Sequence, residues 1–153
     1  MFMKLGEAST GPPILHFAED DADWTTLFCD IFHKSVPHWQ IVHSAEGLSA
    51  KNKLVSPPAA LLGIVTDINM PQLSGLELIE WIKGQPHLQS LPVFVLSSTN
   101  DPYIRLRCAV LGVNAYLEKP TSMKELSSMI LTITKECEQN CLSSKEIGNF
   151  LGN

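Results

Sequence analysis

Short apolar runs alternate with amphipathic stretches along most of this chain. Ile14 to Ala18 is an apolar run of strand length, and its continuity fits a strand buried on both faces. His16 within it reads as a hydrogen-bonded core histidine. Trp24, Leu27, Phe28, Ile31 and Phe32 follow at i, i+3, i+4, i+7 and i+8, the core-facing stripe of a helix. Asp21 or Asp23 would cap its start, and Ser35 to Pro37 ends it. "WQIVHSA" predicts a second strand. Residues 46–55 predict a weak helix, closed by "SPP" at 56–58.

The alternation continues. "ALLGIVTD" (60–67) predicts a third strand, ending in a carboxylate. "INMPQLSG" is a loop broken by Pro71 and Gly75. Leu76, Ile79 and Ile82 mark a third helix, stopped near Gly84. "LPVFVLSS" (91–98) predicts a fourth strand. Asp101-Pro102 is a helix start, with proline at the first helical position. Ile104, Cys108 and Leu111 continue that helix to Gly112. "NAYLEKP" (114–120) predicts a fifth strand, and its Lys119–Pro120 step is a candidate for a cis bond that would aim the lysine. Ser122 and Glu125 form a capping box, and Leu126, Met129, Ile130, Ile133 and Cys137 carry a last helix. The polar tail from about Glu138 is expected to fray, and within it Ile147, Phe150 and Leu151 are candidates to dock on the body.

A strand followed by a helix, five times over, implies a parallel sheet covered on both faces. Right-handed crossovers leave few topologies. The expected fold is α/β, a flavodoxin-like (βα)5 doubly wound sheet in the order 2-1-3-4-5. Ligands in such sheets bind beyond the carboxyl ends of the strands, where the order reverses. Here that is between strands one and three. The expected organisation is a flexible arm over 1–12, one domain over 13–138 and a tail over 139–153.

Composition narrows the function. With 16 acidic against 11 basic residues the net charge is −5, and no basic run offers a nucleic-acid surface. No apolar run is long enough to span a bilayer, and the first residues lack a signal-peptide core. Four cysteines (Cys29, Cys108, Cys137, Cys141) without CxxC spacing suit reduced thiols and a cytoplasmic location.

The chemistry lies in the strand ends. "FAEDDADW" places Glu19, Asp20, Asp21 and Asp23 almost side by side. Two such charges about 4 Å apart oppose each other by roughly 4 kcal/mol at an effective dielectric near 20, so a cation or full solvation must offset them. The topology puts Glu19 and Asp20 at the end of strand one, Asp67 at the end of strand three, Ser97 at strand four and Lys119 at strand five. Asp21 and Asp23 keep their capping role. Three carboxylates on one rim suit a hard cation. Mg2+ fits best, because it keeps several waters and shares itself with phosphoryl groups. Zinc is disfavoured, since no Cys or His joins the cluster.

This constellation resembles the receiver domain of two-component response regulators. The resemblance rests on "EDD" after strand one, "DINMPQLSG" after strand three, Ser97-Ser98 after strand four and "EKP" after strand five, over roughly residues 13 to 137. It implies that Asp67 is the phosphoacceptor. It implies that Asp20 and Asp67 hold Mg2+ directly, Glu19 through water, and Asn69 through its backbone carbonyl. Ser97 would bond the phosphoryl group in place of the more usual threonine. Lys119 would pair with its oxygens. Tyr116 matches the family's aromatic switch position, although it also reads as an ordinary half-buried strand aromatic. Asn69 and Thr99 stand where such domains tune the acyl-phosphate lifetime.

The expected function is stoichiometric phosphoacceptance from a histidine kinase or histidine phosphotransfer protein, not catalytic turnover. Few residues follow Cys137, so output is expected through a downstream protein contact, in the manner of chemotaxis or phytochrome-associated regulators. The expected surface is the fourth helix, fifth strand and fifth helix, where a homodimer could also form. No nucleic acid or membrane partner is expected. A receiver-like scaffold that binds without phosphorylation is the alternative. A haloacid-dehalogenase-type phosphatase needs an aspartate where Asn69 stands, and a flavodoxin's FMN phosphate would be repelled by the acidic first turn.

Overall fold

The computed structural model describes residues 11–152. The elements run β1 (Ile14–Ala18), α1 (Ala22–Ser35), β2 (Gln40–Ser44), α2 (Gly47–Leu54), β3 (Leu61–Thr66), α3 (Gly75–Lys83), β4 (Val93–Ser97), α4 (Pro102–Leu111), β5 (Ala115–Glu118) and α5 (Met123–Leu151). All strand pairs are parallel, and the sheet order is β2-β1-β3-β4-β5. The expected topology is the observed one.

Burial explains why periodicity exposed it. β1 and β4 are buried at every residue, whereas the edge strands β2 and β5 are partly exposed. One apolar layer packs α2, α3 and α4 on the sheet, through Leu54, Leu78, Ile79, Ile82 and Cys108. The other packs α1 and α5, through Phe28, Phe32, Leu126, Ile130 and Ile133. Phe17 and Phe28 stack at 4.0 Å between ring centroids and tie α1 to β1. Gly63 lets α5 approach β3, since a Cβ there would overlap the Cys137 sulfur.

Local signals act where the sequence placed them. Asp21 caps α1 by accepting from Trp24 N at 3.0 Å. Asp101 caps α4 ahead of Pro102. Ser122 accepts from Glu125 N at 3.1 Å to start α5. Gly112 ends α4 at φ 82°, a left-handed conformation that suits glycine. His16 bonds Ser44 Oγ through Nε2 at 2.9 Å inside the core, as expected of it.

Three expectations need correction. The tail does not fray from Glu138: α5 continues unbroken to Leu151. Its continuation is anchored where Trp39 Nε1 donates to Glu138 Oε1 at 3.1 Å and Asn140 Nδ2 donates to the Ser90 carbonyl at 3.3 Å. Ile147, Phe150 and Leu151 do not dock on the body; they are 59%, 83% and 76% exposed. Nor is the Lys119–Pro120 bond cis, because the described residues contain no cis peptide bond. The trans form is the ordinary preference even before proline, and the lysine is positioned instead by its backbone, as described below. The expected arm over 1–12 lies almost wholly outside the described residues.

Candidate functional site

Parallel pairing assembles the site before any side chain takes part. Ala18 is in register with Thr66, so the residues that follow, Glu19 and Asp67, leave the sheet side by side. Backbone bonds extend the ladder one step past the strands. Asp67 N donates to the Ala18 carbonyl at 3.0 Å, Glu19 N to the Ser44 carbonyl at 3.0 Å, and Lys119 N to the Ser97 carbonyl at 3.0 Å. Lys119 therefore leaves β5 beside the end of β4, on the rim that carries the acids.

Carboxylate oxygens of Glu19, Asp20 and Asp67 all lie within 4.8 Å of one another. Glu19 and Asp67 are buried and Asp20 is exposed, so the cluster opens to solvent on one side. Lys119 Nζ lies 3.0 Å from Glu19 Oε2 and 3.7 Å from Asp67 Oδ2. The first is an ion-pair distance without hydrogen-bond alignment. This ammonium is the local offset that the acid cluster requires. It does not neutralise the cluster: burial first, and the Asp67 charge second, push the Glu19 carboxyl up to about 7 against the pull of Lys119. Three converging oxygen donors, one facing water, with charge left over, fit a hard divalent cation.

The loop after Asp67 is pinned beneath it. Asp67 Oδ1 accepts from Ile68 N at 2.8 Å, and Gly75 N donates to the Ile68 carbonyl at 2.8 Å. A Cβ on Gly75 would overlap the Asp67 carbonyl oxygen. Gly75 thus serves the site by close approach, beyond starting α3. Gln72 in the same loop adopts φ 67°, a left-handed conformation uncommon outside glycine.

The remaining expected residues gather around this centre. Ser97 is fully buried, and its Oγ accepts from Thr99 N at 3.2 Å. Asn69 Nδ2 donates to Thr99 Oγ1 at 2.8 Å, linking the loops after β3 and β4. Tyr116 donates its phenolic hydrogen to the Thr99 carbonyl at 2.6 Å. The Arg105 guanidinium lies over the Tyr116 ring, 4.7 Å from its centroid.

Two further side chains, Trp24 and His43, border the site. Trp24 fits the apolar stripe of α1 and was expected in the core. It is only half-buried, and Lys119 Nζ stands over its ring, 5.4 Å from the centroid. His43 Nε2 donates to the Glu19 backbone carbonyl at 2.9 Å. Its place next to the end of an edge strand was the available signal.

Residues 15–131 match the response regulator receiver domain family. The chain belongs to that family. Among relatives, Response regulator Rcp1 of Synechocystis sp. is 26% identical over 132 residues, covering 82% of this chain and 89% of that protein. The Mn2+-bound form of Rcp1 superposes with a TM-score of 0.71, covering 80% of this chain and 91% of that one. Hybrid signal transduction histidine kinase D of Dictyostelium discoideum is 25% identical over 134 residues, covering 86% of this chain. The chain spans only 8% of that kinase's length. This receiver therefore pairs with whole relatives of its own size and with single segments of much longer ones. Among its described residues, no helix is long and apolar enough to cross a membrane.

Proposed function

We propose that this receiver accepts a phosphoryl group on Asp67 from a phosphohistidine donor, a histidine kinase or a histidine phosphotransfer protein. The observation that carries the reading is the convergence of Glu19, Asp20 and Asp67 beside Lys119. An Asp67 oxygen attacks phosphorus, an acyl phosphate forms, and the P–N bond to the donor histidine breaks. The released imidazole takes up a proton. One group is accepted per chain, so the role is stoichiometric.

Asp20 and Asp67 would hold Mg2+ directly, Glu19 through water, and Asn69 by its backbone carbonyl. Bound there, the ion would neutralise charge on the phosphoryl oxygens. The protein's own residues do the rest. Lys119 turns from Glu19 toward the new oxygens, a short movement given its two distances. Ser97 donates its hydroxyl to one of them and releases Thr99 N. Asn69 and Thr99, already bonded to each other, limit the approach of water and so set the lifetime. Tyr116 loses its Thr99 partner as the β4–α4 loop shifts, and its side chain carries the change to the α4–β5–α5 face. The output is contact with a downstream protein on that face. Four free cysteines suit a reducing, cytoplasmic setting.

The test is acetyl phosphate with Mg2+, read by intact-protein mass spectrometry. The expected result is one acid-stable, base-labile adduct of about 80 Da, the mass of a phosphoryl group on an acyl carboxylate, absent in Asp67→Asn. No adduct from any donor would leave an interaction scaffold as the function.

A further inference from the structure

The Lys119 ammonium stands over the indole of Trp24. Lys119 Nζ lies 3.0 Å from Glu19 Oε2, 3.7 Å from Asp67 Oδ2 and 5.4 Å from the centroid of the Trp24 ring, which carries no charge. That distance lies within cation–π range, and tryptophan offers the most favourable face for a cation. A second observation separates this contact from packing alone. Trp24 Nε1 is buried and has no hydrogen-bond partner. A phenylalanine or leucine would fill the same space on the α1 stripe without stranding a donor. The indole N–H makes no bond there, and the ring face is the part that meets a charged group.

We infer that Trp24 is a positioning residue for Lys119, holding the ammonium at the mouth of the acid cluster while it passes from Glu19 to the phosphoryl group on Asp67. The inference rests on the proposed function. Its physical basis is the difference between the two anchors. Glu19 attracts the ammonium only while its own charge is free, and a cation at the cluster competes for that charge. The indole face is uncharged and stays in place when Glu19 is engaged elsewhere. Without it, a four-carbon stem with several rotamers would leave Lys119 free to swing into solvent, where it is already 17% exposed. Asp21 caps α1 three residues before Trp24 and so fixes where the ring sits.

Trp24→Leu keeps apolar bulk and removes the face; Trp24→Phe keeps a weaker face. In the untreated protein, the Lys119 side-chain methylene protons should be displaced upfield by the ring current. The displacement should vanish in Trp24→Leu and persist in reduced form in Trp24→Phe. The rate of Asp67 phosphorylation by acetyl phosphate with Mg2+ should fall roughly three- to tenfold in Trp24→Leu, the range a partly exposed cation–π contact supports, and recover largely in Trp24→Phe. Beryllofluoride affinity should fall with Trp24→Leu in the parent and stay unchanged when the same substitution is made on Lys119→Met. An undisplaced Lys119 signal, equal losses in Leu and Phe variants, or an undiminished effect on the Lys119→Met background would overturn the inference. Parent protein that shows the displaced signal but takes no phosphoryl group overturns the proposed function instead, and leaves the indole no transfer to serve.

Discussion

Tyr116 donates its hydroxyl hydrogen to the Thr99 backbone carbonyl at 2.6 Å, tying the edge strand β5 to the loop that leaves β4. The same carbonyl belongs to the residue whose side chain meets Asn69 and whose N–H meets Ser97. One loop residue therefore joins the acidic centre to the outer face of the sheet. Tyr116→Phe should keep the ring and its contact with Arg105 but release the loop. The expected cost is about 1 kcal/mol, the usual net value of such a bond. Amide exchange at residues 99–101 should accelerate while β4 stays protected; unchanged exchange there would show that the phenol does not hold the loop.

Asp67 and Glu19 stand too close for their charges to be independent. Burial and the Asp67 charge push Glu19 up to about 7, so Asp67→Asn should bring the Glu19 titration down toward the ordinary carboxylate range. Burial remains, so the return should be partial. Carboxyl carbon shifts of Glu19 followed against pH in metal-free buffer will show it. A Glu19 midpoint that does not move would mean burial alone sets it.

His16 makes acid sensitivity a property of the core. Burial first, then the Lys53 and His43 charges, bring its pKa down to about 4 from an ordinary 6.5. The folded state thus disfavours the protonated ring, whereas the unfolded chain accepts a proton below 6.5. Its contribution is whole above 6.5 and is lost as pH falls toward 4. The full swing is about 3 kcal/mol by linkage. Urea melts at pH 7, 5.5 and 4 should show this decline. His16→Gln, which can still reach Ser44, should be less stable at pH 7 and show a flatter profile.

Two glycines should respond in opposite directions. A Cβ on Gly75 would overlap the Asp67 carbonyl, so Gly75→Ala should destabilise by about 1–3 kcal/mol, as overpacking does, and should disturb Asp67 itself. A Cβ on Gly148 meets nothing within 4 Å. Gly148→Ala should therefore stabilise α5 by roughly 0.5–1 kcal/mol, the helix-propensity difference. Thermal melts of both variants, with the helical signal followed separately, decide the pair.

The five-strand, five-helix order was legible in the sequence because periodicity and caps are local. Each strand buried on both faces reads as an unbroken apolar run, and Asp21, Pro102 and Ser122 act within four residues of themselves. Glu19, Asp20, Asp67, Ser97 and Lys119 were legible as a group because a parallel sheet delivers every strand's end to one rim. What no local pattern carries is which side chains touch once they arrive there. Lys119 lies nearer Glu19 than Asp67, Trp24 turns from the core stripe toward an ammonium, and α5 continues past Cys137 because Trp39 and Ser90, distant in sequence, supply its anchors. Such contacts depend on distances across elements, and those exist only when the sheet and its two helical layers are packed together.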